Sequence, residues 1–131
     1  MHWKHLLKKR INILKTGPDE QDDIGAITVE TSRQKILSQI DEVRNSAEVI
    51  QGSVSNDTKG WFIPPTLIVD PPSDAKITKE ETFGPVITIQ GFDSEIDLIK
   101  KVNSDVHIYH YSTLSYKNIR QKMDILLQME A

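Results

Sequence analysis

Two adjacent glutamates, Glu80 and Glu81, lie just ahead of Phe83 and a Gly84-Pro85 turn. A carboxylate can accept a pair of hydrogen bonds from a ribose diol, and an aromatic face can pack against a planar ring. The segment therefore offers acceptors and a flat apolar surface directly before a predicted strand, with Glu81 and Phe83 as the candidate binding residues. The same residue types also fit a surface turn with one buried phenylalanine, so the chemistry alone leaves both interpretations open.

One acidic cluster and two histidine pairs have residue types that bind metals, but their spacing argues against a site. The acids between residues 19 and 23 lack the alternation and the glycine of a calcium loop, so we expect a solvated turn. His2 and His5 would share a helical face but have no third ligand, whereas His107 and His110 would point to opposite faces of a strand. The sequence therefore predicts no metal site.

Apolar residues at three- and four-residue spacing predict four helices. The first covers residues 2–15, and the second opens with a capping box at Thr31 and runs to about residue 46. Ser94 is predicted to cap the third helix, and Ser115 begins the last. The predicted buried face of the second helix comprises Ile36, Leu37, Ile40, Val43 and Ala47.

Four strand-like segments are predicted between and after these helices, over residues 47–51, 61–69, 86–90 and 106–113. The second contains two consecutive prolines at positions 64 and 65, which cannot donate ladder hydrogen bonds. That strand must therefore lie at an edge, carry a bulge, or be broken at the prolines. Alternation of strands and helices predicts an α/β fold with a mostly parallel sheet and flanking helices.

The chain has 131 residues, the length of one domain, and contains no cysteine. The lack of cysteine excludes disulfides, thiolate zinc sites and a cysteine nucleophile within these residues. With 16 basic and 19 acidic residues the net charge is −3, so we expect no nucleic-acid partner. No apolar run approaches a membrane span and no signal-peptide core opens the chain, so we expect a soluble, cytoplasmic protein.

The tract GWFIPPTLIVDPPSDAKITKEETFGPV, residues 60–86, is similar to the corresponding tract of the NAD(P)-dependent aldehyde dehydrogenase superfamily. The resemblance extends upstream to residues 16–18, 23–25 and 33–44, and downstream to 92–103. It covers most of this chain but only a minor part of a family protein, which is several times longer. Residues 1–131 are therefore expected to form a fragment of an aldehyde dehydrogenase catalytic domain.

The resemblance also implies roles for individual residues. By position, Glu81 matches the glutamate that hydrogen-bonds the nicotinamide ribose hydroxyls, and Phe83 matches the aromatic neighbour of the nicotinamide. The implied cofactor is NAD or NADP. Further matches at Gly60, Pro65 and Thr66 imply a structural role only.

In the family reaction a thiolate attacks the aldehyde, hydride passes to nicotinamide, and the thioester is hydrolysed with help from a glutamate base. The dinucleotide-binding Rossmann part and the nucleophilic cysteine of the family are expected to precede residue 1. These 131 residues would supply part of the cofactor contact, so we expect no dehydrogenase activity from them alone. Within the family, the sequence NDTKGWFIPPT of residues 56–66 resembles that of the branch that oxidises glutamate semialdehyde in proline breakdown.

Two alternatives remain open from the sequence. The first is a non-catalytic interaction module, either a relic or a subunit that forms a homo-oligomer or docks on a longer homologue. It is motivated by the amphipathic first and last helices, whose apolar stripes need a partner. The second is an unrelated small α/β binding domain, which requires the resemblance around Glu81 and Phe83 to be a coincidence.

Overall fold

The computed structural model describes residues 2–55 and 59–103, with side chains from Lys4 onward. Its helices are α1 (His2–Ile13), α2 (Glu30–Val43), α3 (Lys76–Lys79) and α4 (Glu95–Asn103), and its strands are β1 (Glu48–Gln51), β2 (Thr66–Val69) and β3 (Val86–Ile89). The α/β class predicted from the sequence is confirmed. The predicted strand over 106–113, its two histidines and the helix from Ser115 lie outside the described residues.

The described sheet has the order β1-β2-β3, with β2 in the centre. β1 runs antiparallel to β2, with Glu48 opposite Val69, whereas β3 runs parallel to β2, with Thr66 beside Val86. The parallel connection carries α3, as a crossover requires, while the connection from β1 to β2 contains no helix. The described part of the sheet is therefore mixed, with one antiparallel and one parallel pair, and differs in this from the mostly parallel sheet that was predicted.

The two prolines of the predicted second strand mark where the ladder begins. β2 starts at Thr66, directly after Pro65, so the prediction of a strand broken at the prolines is confirmed. The carbonyl of Pro65 still accepts a hydrogen bond from the Gly52 amide at 2.8 Å. The prolines thus set the beginning of the central strand because they have no N–H to donate.

Two hydrophobic clusters cover opposite faces of the sheet. Leu67 and Val69 pack with Ile50 and with Ile11 of α1, while Ile68 packs in the cluster built on α2. Successive strand residues point to opposite faces, so α1 and α2 form separate layers on either side of β2. All four residues of β2 are buried, which makes it the rigid centre of the fold.

Helix boundaries differ from the predicted ones where tertiary contacts intervene. α1 ends at Ile13, before the predicted residue 15, because the Lys15 amide binds the Asp23 carboxylate and Thr16 forms a parallel bridge with Ile24. The capping box at Thr31 was a wrong prediction: α2 begins at Glu30, and Val29 in the N-cap position makes no side-chain cap.

The predicted cap of α4 is confirmed, because the Ser94 hydroxyl accepts a hydrogen bond from the Asp97 amide at 3.1 Å. No helix among the described residues is both long and apolar enough to cross a membrane.

Candidate functional site

The segment of residues 80–85 connects α3 to β3 and carries both candidate binding residues. It begins where the Glu80 amide donates to the Lys76 carbonyl at 2.8 Å and ends where the Pro85 carbonyl accepts from Thr66 of the central strand at 2.8 Å. Between these points the Gly84 amide bonds back to the Thr82 carbonyl, which makes a three-residue turn centred on Phe83. The backbone at both ends of the 80–85 segment is therefore held by regular structure.

A buried amide on α2 holds the middle of the 80–85 segment. Gln39, whose side chain is 1% exposed, donates from Nε2 to the Glu80 carboxylate at 3.3 Å and accepts at Oε1 from the Thr82 hydroxyl at 3.3 Å. These two bonds reach the residues on either side of Glu81. Alternate positions of the segment thus face α2, which leaves Glu81 between two anchored neighbours.

The two adjacent glutamates have different environments. Glu80 forms an ion pair with Lys35 at 2.9 Å. The Lys35 hydrogen bond holds the pKa of the Glu80 carboxyl below its usual value, and the charges of Lys35 and Lys76 act in the same direction. Glu81 is exposed, and its carboxylate has no hydrogen-bond or ion-pair partner within the described part of the chain. The structure therefore leaves Glu81, not Glu80, as the free acceptor.

Phe83 is 77% exposed, the highest value among the large apolar side chains of the described residues. The interpretation of this tract as a turn with one buried phenylalanine is therefore wrong. Gly84, the residue after Phe83, packs against α2 instead. A Cβ atom on Gly84 would lie 2.7 Å from Ile36 Cδ1 on that helix and 3.7 Å from Cδ1 of Ile27, which precedes the helix. The backbone approaches the helix at Gly84, and this approach leaves the Phe83 ring on the surface.

Two other residues that match the family, Gly60 and Thr66, have contacts that support the backbone. Gly60 has a φ of 145°, a conformation that a side chain disfavours, and a Cβ there would meet the Phe62 ring at 2.8 Å. Thr66 is fully buried, donates to the Pro64 carbonyl at 2.8 Å and accepts from Gln51 at 3.2 Å. Both positions shape the loops that lead to the sheet.

The acidic cluster of residues 19–23 forms local bonds. Asp22 accepts from the Asp19 amide at 3.0 Å, and Asp23 accepts from the Lys15 amide at 2.9 Å. Within the described residues no three acidic or histidine side chains are grouped so that they could hold a metal ion. The carboxylates of Asp22 and Asp23 therefore serve the turn that follows α1.

The sequence predicts Glu81 and Phe83 as candidates but does not point to Gln39. Its position between Ile36, Ile40 and Val43 places a polar residue within an apolar helical stripe, and all four side chains are buried. A buried amide needs hydrogen-bond partners, so a polar residue at a core position is the signal that could have found it. The partners themselves lie 41 and 43 residues away in the chain.

Comparison with known protein sequences identifies similarity to aldehyde dehydrogenases. The sequence model of the aldehyde dehydrogenase family matches residues 2–130. An NADP(+) succinate-semialdehyde dehydrogenase of Escherichia coli is 36% identical over 88 residues, which is 66% of this chain and 18% of that protein.

Solved structures agree in fold. A 1-pyrroline-5-carboxylate dehydrogenase from Thermus with bound NAD superposes with a TM-score of 0.65 at 30% identity, covering 79% of this chain and 20% of that one. A betaine aldehyde dehydrogenase from Staphylococcus aureus superposes with a TM-score of 0.80 at 26% identity, covering 97% and 26%. The chain thus spans about a quarter or less of the length of these relatives.

Proposed function

Since the chain belongs to the aldehyde dehydrogenase family, we propose that its 80–85 segment contacts the nicotinamide end of bound NAD⁺ or NADP⁺. In this proposal Glu81 accepts hydrogen bonds from the ribose hydroxyls and Phe83 packs against the nicotinamide ring. The observation that carries it is the pairing of a Glu81 carboxylate, which has no partner among residues 2–55 and 59–103, with an exposed Phe83 ring on a segment anchored at both ends.

The residues present fit this role chemically. A carboxylate without an internal partner retains its acceptor capacity for a diol, and an uncovered aromatic face can pack on a flat heterocycle. When bound, the cofactor supplies the hydride acceptor of the oxidation. The residues of this chain orient it: the carboxylate fixes the ribose, and the ring of Phe83 limits where the nicotinamide can lie.

These residues cannot complete the oxidation of an aldehyde by themselves. They contain no cysteine, so the thiolate that attacks the aldehyde must come from other polypeptide. We therefore propose that the 131-residue chain alone produces no NADH from succinic semialdehyde or 1-pyrroline-5-carboxylate. The second substrate is chosen because one similar structure is a 1-pyrroline-5-carboxylate dehydrogenase, which would place the chain in proline metabolism. The expected cytoplasmic location belongs to the same proposal.

A titration with nicotinamide mononucleotide, followed by NMR, tests the cofactor contact directly. We expect the backbone amides of Glu81 and Phe83 to shift in the wild-type chain. Glu81→Gln should weaken binding by about tenfold or more, since hydrogen bonds to a charged group contribute roughly 1.5–3 kcal/mol. Glu20→Gln, a change at an exposed glutamate in the acidic turn, is the matched control and should bind as the wild type does. Equal affinity of the wild type and Glu81→Gln would refute the proposal.

A second candidate function, docking onto a longer family member, is favoured by a different observation. Large apolar side chains are exposed on three elements, with Leu6 and Ile13 on α1, Ile87 on β3 and Ile96 on α4. Size-exclusion chromatography with a full-length aldehyde dehydrogenase tests it. A defined complex that a Leu6→Lys variant loses would support docking, while separate elution of the two chains would exclude it.

A further inference from the structure

We propose that Gln39 is the positioning residue that sets the orientation of Glu81 and Phe83 for nicotinamide contact. The inference rests on the proposed function, because it assumes that Glu81 and Phe83 contact the cofactor. Gln39 itself does not touch the cofactor in this proposal. Its basis is the pair of hydrogen bonds from one buried amide to Glu80 and Thr82, the residues on either side of Glu81.

An amide suits both neighbours at once, because it has a donor and an acceptor on separate atoms. The Glu80 carboxylate only accepts hydrogen bonds, so it needs a donor, and Gln39 Nε2 supplies it at 3.3 Å. The Thr82 hydroxyl donates, so it needs an acceptor, and Gln39 Oε1 supplies it at 3.3 Å. A carboxylate in the same place would offer two acceptors, and a thioether would offer neither bond of comparable strength.

Burial strengthens the hydrogen bonds of Gln39. Gln39 is 1% exposed and lies beside Ile36, Ile40 and Val43 on the core face of α2. Water does not compete for the amide there, and leaving either of its ends unpaired would cost the full desolvation of that group. The helix therefore fixes the amide, and the amide fixes the two neighbours of Glu81.

Two further contacts confine the segment to the same helix. Lys35, one turn before Gln39, forms an ion pair with Glu80 at 2.9 Å. Gly84 lies against Ile36 so closely that a Cβ would be 2.7 Å from its terminal methyl. Since affinity depends on how far the binding residues are ordered before the ligand arrives, loss of the central contact should be measurable in ligand affinity even though these outer contacts remain.

Substitutions at Gln39 separate positioning from packing. Gln39→Met keeps the length and fills the buried space, so the fold should persist, while both hydrogen bonds are lost. We expect nicotinamide mononucleotide to bind about five- to tenfold more weakly, because the segment is no longer held by the hydrogen bonds to Glu80 and Thr82. Gln34→Met on the exposed face of the same helix is the matched control and should bind as the wild type does.

Gln39→Glu gives a pH signature that a loss of packing would not produce. The introduced carboxyl is buried and faces the Glu80 carboxylate, with Lys35 and Lys76 as the nearby cations, so burial and like charge raise its pKa. As the pH rises through that raised pKa, the carboxyl ionises and repels Glu80, so binding should weaken. As the pH falls through it, the carboxyl is protonated and donates to Glu80, whose own pKa is lowered by Lys35, so binding should return toward the wild-type value measured at the same pH.

A ligand-free measurement tests the same role independently. Endoproteinase Glu-C cleaves after Glu81 only when the 80–85 segment opens, and after Glu20 in the exposed acidic turn as an internal reference. Gln39→Met should raise the ratio of cleavage after Glu81 to cleavage after Glu20 by about fivefold, whereas Gln34→Met should leave it unchanged. An unchanged ratio in Gln39→Met would overturn the inference.

The outcomes distinguish this inference from the proposed function. If the wild type binds no nicotinamide mononucleotide, the proposed cofactor contact fails, while the cleavage ratio still decides whether Gln39 orders the segment. If the wild type binds and Glu81→Gln weakens binding but Gln39→Met does not, the cofactor contact stands and the positioning role is refuted. Weak binding of Gln39→Glu throughout the pH titration would likewise refute it.

Discussion

Gly84 and Ile36 are in such close contact that a Cβ atom on Gly84 would lie 2.7 Å from Ile36 Cδ1. Ile36 is 3% exposed and belongs to the core cluster on α2, so its side chain has little room to move aside. The glycine is therefore needed for close approach of the 80–85 segment to the helix, in addition to its part in the turn before Pro85.

Gly84→Ala should destabilise the chain by about 1–2 kcal/mol, because the added methyl forces Ile36 or the segment to shift. Urea denaturation measures the change. Gly25→Ala is the control, since a Cβ on Gly25 has no atom within 4 Å. If the clash is the cause, the cost of Gly84→Ala should shrink in an Ile36→Val background, which removes the opposing methyl. An equal cost in both backgrounds would point to another cause.

Phe83→Ala should leave stability within about 0.5 kcal/mol of the wild type, because a largely exposed ring contributes little to the folded core. Phe62, 7% exposed, provides the contrast. Phe62→Ala should cost about 3–5 kcal/mol by opening a cavity. Under the proposed function, Phe83→Ala also weakens binding of nicotinamide mononucleotide. Strong destabilisation by Phe83→Ala in thermal or urea unfolding would show that the ring packs in solution.

Acid should loosen the 80–85 segment through Glu80. Its folded-state pKa lies below the ordinary 4.5, held down first by the hydrogen bond to Lys35. The contribution to stability is therefore present above about 4.5, the ordinary value. It is lost as the pH falls through the lower folded-state value. Amide hydrogen exchange at Glu80 and Gly84, which donate to the Lys76 and Thr82 carbonyls, should accelerate over that range relative to core amides of β2.

Lys35→Gln tests the assigned cause of this acid response. It should reduce the pH dependence of exchange at the Gly84 amide, whereas Lys79→Gln, a change at an exposed lysine of α3 beside Glu80 in sequence, should preserve it. The same acid response in Lys35→Gln as in the wild type would mean that the ion pair does not hold the segment.

Ile68 lies on the central strand and is fully buried, so Ile68→Ala should cost about 2–5 kcal/mol. Ile96 on α4 is 68% exposed, and Ile96→Ala should change stability by less than about 0.5 kcal/mol. Chemical denaturation of both variants checks the assignment of the core to the layers around β2. Similar costs for the two substitutions would contradict it.

The sequence by itself determined the features that depend on local chemistry. Proline cannot donate a ladder hydrogen bond, so the sequence predicted an edge, a bulge or a break at Pro64 and Pro65, and β2 begins directly after them. The Ser94 cap likewise depends on atoms three residues apart. The family was also identified from the sequence, because an ordered run of matching residue types identifies a family without a structure, and that resemblance predicts roles for Glu81 and Phe83.

Only the tertiary structure decided which of these residues is available. Glu80 and Glu81 are chemically identical in sequence, yet Lys35 and Gln39 bind one and leave the other free within the described chain. From the sequence, Phe83 was also compatible with a core position. In the structure Gly84 approaches α2 closely, and the Phe83 ring lies on the surface. Local spacing predicts which face of an element is apolar, but the partner across a separation of some 40 residues follows from how the helix lies on the sheet.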